Sequence, residues 1–323
     1  MNAEHKRTRR VAVVGAGSCL ARCLVERLVA DATCADLLAI DLSPLPLEAT
    51  GARTHALDLT APDAGAALAQ LLPSRGFDTI VHLIHLDLPA IEQSWAHELV
   101  SIGTLHLLNA CAASAVAHVV AVSSTMCYGA HLNNPALLTE QHSLRGAPGC
   151  RWIEDQIDVE HQMQSFAAGH PETTVTVLRL APLLGPSIDN FWTRRFTAPV
   201  VHTMLGFDPL MQFLHQEDAT EALRQAIDLK PAGAFNIVPD DAIAMSRALR
   251  LLGRRGLPLP PLAARGLIGL LNSAQLVGTP PELIDYLRHG WVADGALAAR
   301  QLGFAPRHGT ADALRALARP KQG

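Results

Sequence analysis

From residue 11 to about residue 185, short apolar runs rich in β-branched residues alternate with Ala/Leu-rich stretches of helical length. That alternation predicts βαβ units wound around a parallel sheet. Strands are expected over 11–15, 37–41, 53–57, 79–84, 118–123 and 174–180. Helices are expected over 18–31, 62–73, 91–113 and 151–168, the last opening after the breaker Gly146-Ala147-Pro148-Gly149. Beyond Pro186 the pattern shortens, because prolines at 199, 209, 231, 239, 258, 260, 261, 280 and 281 divide the chain into smaller pieces. The expected fold class is therefore α/β. A doubly wound parallel sheet would occupy 11–185, with a return segment near 212–238, and a smaller C-terminal lobe built from 186–211 and 239–323 would pack over the sheet's carboxyl edge. Residues 1–10 read as a flexible basic leader.

Composition narrows the function classes. With 49% hydrophobic and 17% charged residues in 323, the chain can bury a sizeable core. A net charge of −4 gives no basic field, and the cluster His5-Lys6-Arg7-Thr8-Arg9-Arg10 is short and terminal, so nucleic acid is not an expected partner. The N-terminus carries no long apolar region or small-residue cleavage site, which leaves the cytoplasm as the expected location. The most apolar tract, Leu257 to Val277, is broken by three prolines, by glycines and by Arg265, so no membrane span is expected. Six cysteines, at 19, 23, 34, 111, 127 and 150, show no metal-ligand spacing and are expected to be reduced; no metal site is read from the fifteen histidines either.

The first strand runs into Val13-Val14-Gly15-Ala16-Gly17-Ser18-Cys19-Leu20-Ala21, which opens a helix. Glycines here allow the tight turn that aims backbone N–H groups at a pyrophosphate. Against a G-x-x-G-x-x-G spacing only Gly15 fits; Ser18 takes the close-approach position and Ala21 the helix-packing position, with Gly17 able to supply freedom lost at Ser18. Asp41 ends the second strand, where a carboxylate can accept hydrogen bonds from an adenosine ribose and repel a 2′-phosphate, favouring NAD over NADP. As a strand-terminal Asp it could equally start the Ser43-Pro44 turn.

At His55-Ala56-Leu57-Asp58-Leu59 and Asp78-Thr79-Ile80-Val81-His82-Leu83-Ile84-His85 the chain resembles the extended short-chain dehydrogenase/reductase family, in its NAD-dependent epimerase/dehydratase branch. The likeness continues through Gly103-Thr104, Ser123 to Gly129, Arg179 to Pro186, Gln212 to Asp218 and Leu302 to Pro306. It implies a Rossmann-type domain, a small-molecule substrate and, as in many relatives, a homodimer, for which the Ala/Leu-rich helix 91–113 offers a face. Carried over residue by residue, it puts Gly15, Gly17, Ser18, Cys19 and Leu20 on the pyrophosphate, Asp41 on the adenosine ribose, and Asp58 and Leu59 beside the adenine. Leu83, Ile84 and His85 would line the cofactor, Pro182 would replace an Asn common in relatives on the substrate side, and Ser124 would hydrogen-bond the reacting oxygen.

One part of the pattern is missing. The family's Tyr-x-x-x-Lys pair is followed four residues later by a Glu; taking Glu160 as that Glu puts Trp152 and Gln156 on the Tyr and Lys positions, along one helix face. Neither side chain can replace a phenolate and an ammonium. The only tyrosines, Tyr128 and Tyr286, fall elsewhere. The reading is an NAD-binding oxidoreductase of epimerase/dehydratase type acting on a hydroxyl or ketone of a nucleotide-sugar or apolar alcohol, with redox chemistry weak or altered. A non-redox cyclase, isomerase or lyase on the same fold, and a non-catalytic NAD-binding sensor or partner subunit, are the alternatives. As other proton carriers, Cys127, His131, Glu140, His142, Cys150, Glu154 and Asp155 lie near the site in sequence, with His131, Glu140 and His142 expected in an exposed polar loop.

Overall fold

The computed structural model describes residues 9–317 apart from 44, 46–50, 86, 90–91, 115 and 274–279. In chain order the first half comprises β1 (Arg9–Val14), α1 (Cys19–Val29), β2 (Cys34–Asp41), β3 (Arg53–Ala56), α2 (Ala64–Leu71), β4 (Thr79–His82), α3 (Gln93–His97), α4 (Gly103–Ala113), β5 (His118–Ser124), α5 (Arg151–Gly169) and β6 (Thr174–Leu180). It continues with β7 (Leu183–Leu184), α6 (Phe191–Thr197), β8 (Val200–Met204), β9 (Leu210–Met211), β10 (Leu214–His215), α7 (Gln216–Leu229) and β11 (Gly233–Ile237). Seven strands form one sheet in the order β11-β6-β5-β4-β1-β2-β3 with every pairing parallel. This is the expected doubly wound α/β architecture. The order reverses between β1 and β4, so the crevice where such sheets take ligands opens beyond the carboxyl ends of these two strands.

The inner strands of the sheet are buried on both faces and largely apolar, whereas the edge strand β3 is mostly exposed. Along β1, Val11 and Val13 join one hydrophobic cluster while Ala12 and Val14 join another on the opposite face. Successive side chains of a strand point to opposite faces, so one run of apolar residues feeds both layers. The first cluster extends through α1 and α7 to the aromatic residues Phe191, Trp192, Phe196, Phe213, Tyr286 and Trp291, and so ties the C-terminal elements to the sheet. Those elements carry three small two-stranded sheets: β7 with β10, β9 with Ile243–Ala244, and β8 with Arg255–Leu259.

Three expectations are corrected. The strand starts at Arg9, whose guanidinium pairs with Asp31 at 2.5 Å and with Asp228, so Arg9 and Arg10 are not leader; residues 1–8 lie outside the described residues. The helix expected over 91–113 is interrupted: α3 passes through a π-helical turn at Glu98–Ile102 before α4. Just beyond that turn, the Thr104 hydroxyl donates to the Val100 carbonyl at 2.5 Å, and at Gly103 an added Cβ would meet the Leu59 side chain at 3.2 Å. Finally, β4 stops at His82 rather than at 84, which leaves Leu83 to His85 as irregular chain at the sheet's edge. The tract Leu257–Val277 contains a helix at Pro261–Ser273, with 274–277 outside the described residues, and no described helix is long and apolar enough to cross a membrane. All six cysteines are free thiols.

Candidate active site

The turn after β1 is built around a glycine that nothing else can replace. Gly15 has φ +83°, and a Cβ there would sit 2.5 Å from the Leu83 carbonyl oxygen. The turn and the end of β4 are thereby held in backbone contact. Gly17 donates its N–H to Asp41 Oδ2 at 2.7 Å, so the carboxylate at the end of β2 lies against the turn rather than facing away. Ser18 is the N-cap of α1, with its hydroxyl accepting the Ala21 N–H at 3.2 Å. A capping serine occupies one of the four N–H groups that a helix start leaves unpaired. The N–H groups of Cys19 and Leu20 keep that open character, at the positive end of the helix dipole. Ala21 is fully buried behind them. This cradle suits a dinucleotide's pyrophosphate and ribose.

The remaining residues of the expected cofactor set divide. Leu83 and Ile84 are buried at 1% and 4% exposure in different core clusters, so only their backbone could meet a ligand. Asp58 is exposed and accepts the Thr60 N–H and hydroxyl at 2.9 and 2.7 Å, while Leu59 turns inward toward Gly103. Both sit just past β3, where Leu57 N–H donates to the Asp41 carbonyl at 2.8 Å.

Beside the turn, a cavity brings together Leu20, His85, Ser124, Trp152, Gln156 and Pro182. Elements α1, β5, α5, β6, β7 and α6 converge on it. The β5 strand ends at Ser124, whose Oγ accepts the Met126 N–H at 3.1 Å and so keeps its own proton to donate. Helix α5 presents Trp152 and Gln156 one turn apart. The Cys127 thiol donates to Gln156 Oε1 at 3.9 Å, and Phe191 of α6 meets Trp152 at a centroid distance of 5.9 Å. Phe191 and Trp192 continue an aromatic wall that runs through Trp291 to Tyr286.

The register of α5 is set from its buried middle. Glu160, 1% exposed, accepts from Arg179 Nε at 2.9 Å and Nη2 at 2.7 Å, and from the Ser123 hydroxyl. Arg179 also donates to the Tyr128 hydroxyl at 2.8 Å, which in turn donates to Asn236 Oδ1 at 2.8 Å. This network joins α5, β5, β6 and β11, and two helical turns back along α5 it brings Trp152 to the cavity. Tyr128 is fully buried, with burial pushing its phenol up to about 12; Tyr286 donates to the Met126 carbonyl at 2.5 Å. Neither tyrosine lines the cavity.

Other sequence candidates for proton transfer are removed by their surroundings. Burial pushes the Cys127 and Cys150 thiols up to about 12 and about 11. Asp155 is paired with His97 at 2.8 Å and with Arg151 at 3.1 Å, and Glu154 accepts the Gly149 N–H at 2.8 Å. The loop histidines and Glu140 are half-buried rather than exposed: Glu140 Oε1 accepts the Asn236 N–H at 2.8 Å and His142 Nδ1 accepts the Thr139 N–H at 3.0 Å.

Two lining residues escaped the sequence reading. Asp87 places a carboxylate oxygen 3.5 Å from His85 Nε2, and Asn190 caps α6 while donating to the Leu183 carbonyl at 2.8 Å. A His-x-Asp directly after a buried strand was the available signal for the first. His82, at the end of β4, turns to Thr104 Oγ1 at 2.7 Å, away from the cavity. Away from the cavity, too, His215, Glu217 and His308 bring ligand atoms within 4.8 Å of one another; spacing could not reveal this, because His308 comes from a distant segment. His215 Nδ1 there accepts the Glu217 N–H at 3.3 Å as the cap of α7.

Comparison with known proteins agrees with the fold. Residues 11–237 match the NAD dependent epimerase/dehydratase family. Over 250 residues the chain is 32% identical to an uncharacterized protein of Mycobacterium tuberculosis, a match that spans 76% of this chain and 66% of that relative's length. Among solved structures, MoeE5 in complex with UDP-glucuronic acid and NAD is 25% identical with a TM-score of 0.71, over 94% of this chain and 96% of that one. The UDP-glucose 4-epimerase of Thermotoga maritima with UDP-glucose shares the fold at 18% identity and a TM-score of 0.75, over 96% and 97% of the two chains.

Proposed function

The chain belongs to the NAD dependent epimerase/dehydratase family, and on that premise we propose that it holds NAD along the carboxyl edge of its sheet and acts on a hydroxyl or ketone carbon of a small molecule in the adjoining cavity. The observation that carries this reading is the convergence of Ser124, Trp152, Gln156, Leu20 and Pro182 on one cavity beside the Gly15 turn. NAD, when bound, supplies hydride transfer. The protein's part begins with binding. The α1 N-terminus takes the pyrophosphate through the Cys19 and Leu20 N–H groups, and Asp41 takes the ribose hydroxyls, its charge disfavouring the 2′-phosphate of NADP. Ser124 donates to the substrate oxygen. Trp152 and Gln156 shape and orient without titrating, so redox turnover is slower than a Tyr/Lys pair would give.

The substrate is a small molecule that presents an apolar or ring face to Trp152, Phe191 and Trp192. The neighbouring enzymes bind UDP-sugars, and a nucleotide-sugar whose ring stacks on this wall is the leading class, with an apolar alcohol second.

Calorimetric titration with NAD⁺, NADH, NADP⁺ and NADPH tests the cofactor assignment. Micromolar binding of the NAD pair, weaker binding of the NADP pair, and narrowing of that difference in Asp41→Ser are expected. Equal binding of all four by the natural protein would refute the role given to Asp41, and no binding of any would refute the reading.

A further inference from the structure

Among the described residues lining the cavity, His85 and Asp87 are the only ionisable side chains of the Asp, Glu, His, Lys, Arg, Cys or Tyr type. The other walls are Leu20 of α1, Val122 to Ser124 of β5, Met126 just beyond it, Trp152 and Gln156 of α5, Leu180 to Leu183 around β6 and β7, and Asn190 to Trp192 around α6; none of these titrates in an ordinary pH range. A cavity that has lost the family's phenol and ammonium thus retains one pair able to hold and release a proton.

The pair's geometry determines which atom does so. His85 Nδ1 lies 3.1 Å from the Leu83 carbonyl oxygen, and a carbonyl only accepts, so Nδ1 carries its hydrogen in either protonation state. Nε2 is therefore the nitrogen that titrates. It faces Asp87 Oδ1 at 3.5 Å, beyond the usual N–H···O distance, so the carboxylate supplies charge without binding the proton tightly. Asp87 is itself anchored, its carbonyl accepting the Phe191 N–H at 3.0 Å, which fixes the pair to the aromatic wall. Burial works against the imidazolium, but Asp87 and the Leu83 carbonyl outweigh it and hold His85 above its ordinary value; nearby His82 is lowered to about 4 by burial and by His85.

We propose that His85, oriented by Leu83 and charged by Asp87, exchanges the proton with the substrate oxygen in this cavity, the task that Tyr performs in the family's usual pair. The inference rests on the hydride-transfer reading above. In the reducing direction the Nε2–H bond breaks and its electron pair stays on the ring. The proton forms an O–H bond on the oxygen that Ser124 holds, balancing the hydride that NADH supplies to the carbon. Imidazolium becomes imidazole and is reprotonated from solvent. In the oxidising direction the neutral ring takes the hydroxyl proton.

The experiment combines activity with a readout that needs no turnover. The histidine C2–H resonance of His85 is titrated by NMR in the natural protein and in Asp87→Asn, assigned by its loss in His85→Gln. NADH oxidation is followed with phenanthrenequinone, an aromatic diketone matched to the Trp/Phe wall. NADH affinity is measured for each variant. Asp87→Asn is expected to lower the His85 pKa, and the falling limb of the reduction rate should move to lower pH with it. His85→Gln should lower kcat by about 100-fold or more, the range general acid catalysis supplies, with NADH affinity unchanged within about threefold. Full kcat in His85→Gln, a His85 pKa indifferent to Asp87, or a loss confined to NADH affinity would each overturn the assignment while leaving the hydride-transfer reading intact. A natural protein that binds NADH yet reduces nothing would remove that reading and this inference together.

Discussion

Glu160→Gln tests the element that positions the cavity-lining face of α5. The Arg179 guanidinium is 3% exposed and donates three hydrogen bonds to the Glu160 carboxylate, which is 1% exposed. Glutamine keeps the shape but replaces one acceptor oxygen by an NH₂ facing donors, and it removes the only carboxylate bonded to that cation among the described residues. Breaking a buried pair from one side costs about 3–5 kcal/mol, because the partner charge stays desolvated. Against a total stability of about 5–15 kcal/mol this is a large fraction. Urea denaturation followed by circular dichroism measures it, with the slope checked for constancy so that the midpoint shift reports stability. The paired substitution Glu160→Met with Arg179→Met removes both charges together and is expected to cost less than the sum of its single variants by at least about 1 kcal/mol, as for groups in direct contact. A Glu160→Gln loss below about 1 kcal/mol, or strict additivity in the methionine cycle, would refute the view that this pair fixes α5.

Trp152→Tyr combined with Gln156→Lys should raise redox turnover with NAD still bound; unchanged turnover in the doubly substituted protein would count against the register that Glu160 sets. Gly15→Ala and Gly206→Ala place alanine at nearly the same φ, +83° and +84°, but only the first meets backbone, at 2.5 Å from the Leu83 oxygen, whereas nothing lies within 4 Å of the second. Both carry a left-handed penalty of about 1–2 kcal/mol, so a thermal shift clearly larger in Gly15→Ala, together with loss of NAD binding, is expected and equal shifts are not. His82 and His118 are buried, each held neutral at about 4, with an Nδ1 that has no partner once Nε2 bonds Thr104 or Thr176. Their folded values lie below the unfolded value of about 6.5, so their contribution to stability is present above that pH and lost as pH falls toward 4. His82→Gln with His118→Gln should flatten the pH dependence of stability in that window, and an unchanged slope would assign acid sensitivity elsewhere.

How much of this was legible in the chain follows from the range of each interaction. The sheet was readable because its inner strands are largely apolar on both faces and its helices are bounded by glycines, prolines and caps, all local properties. The position of Trp152 and Gln156 was readable from one distant clue, Glu160, because an α-helix converts a spacing of four into a shared face. What could not be read was the partner that makes a residue's chemistry. Ser18 looked like a defect in a glycine pattern, yet its hydroxyl caps α1, an assignment that depends on backbone angles rather than on spacing. His85 looked like one wall residue among several. It becomes the group that titrates toward the cavity only when the irregular turn after β4, two residues shorter as a strand than its apolar run suggests, folds Nδ1 onto Leu83 and aims Nε2 at Asp87. A family pattern that loses its Tyr and Lys therefore does not by itself imply a lost reaction. The proton need only come from some ionisable group in the same cavity, and in this chain it is the termination of a strand that brings one there.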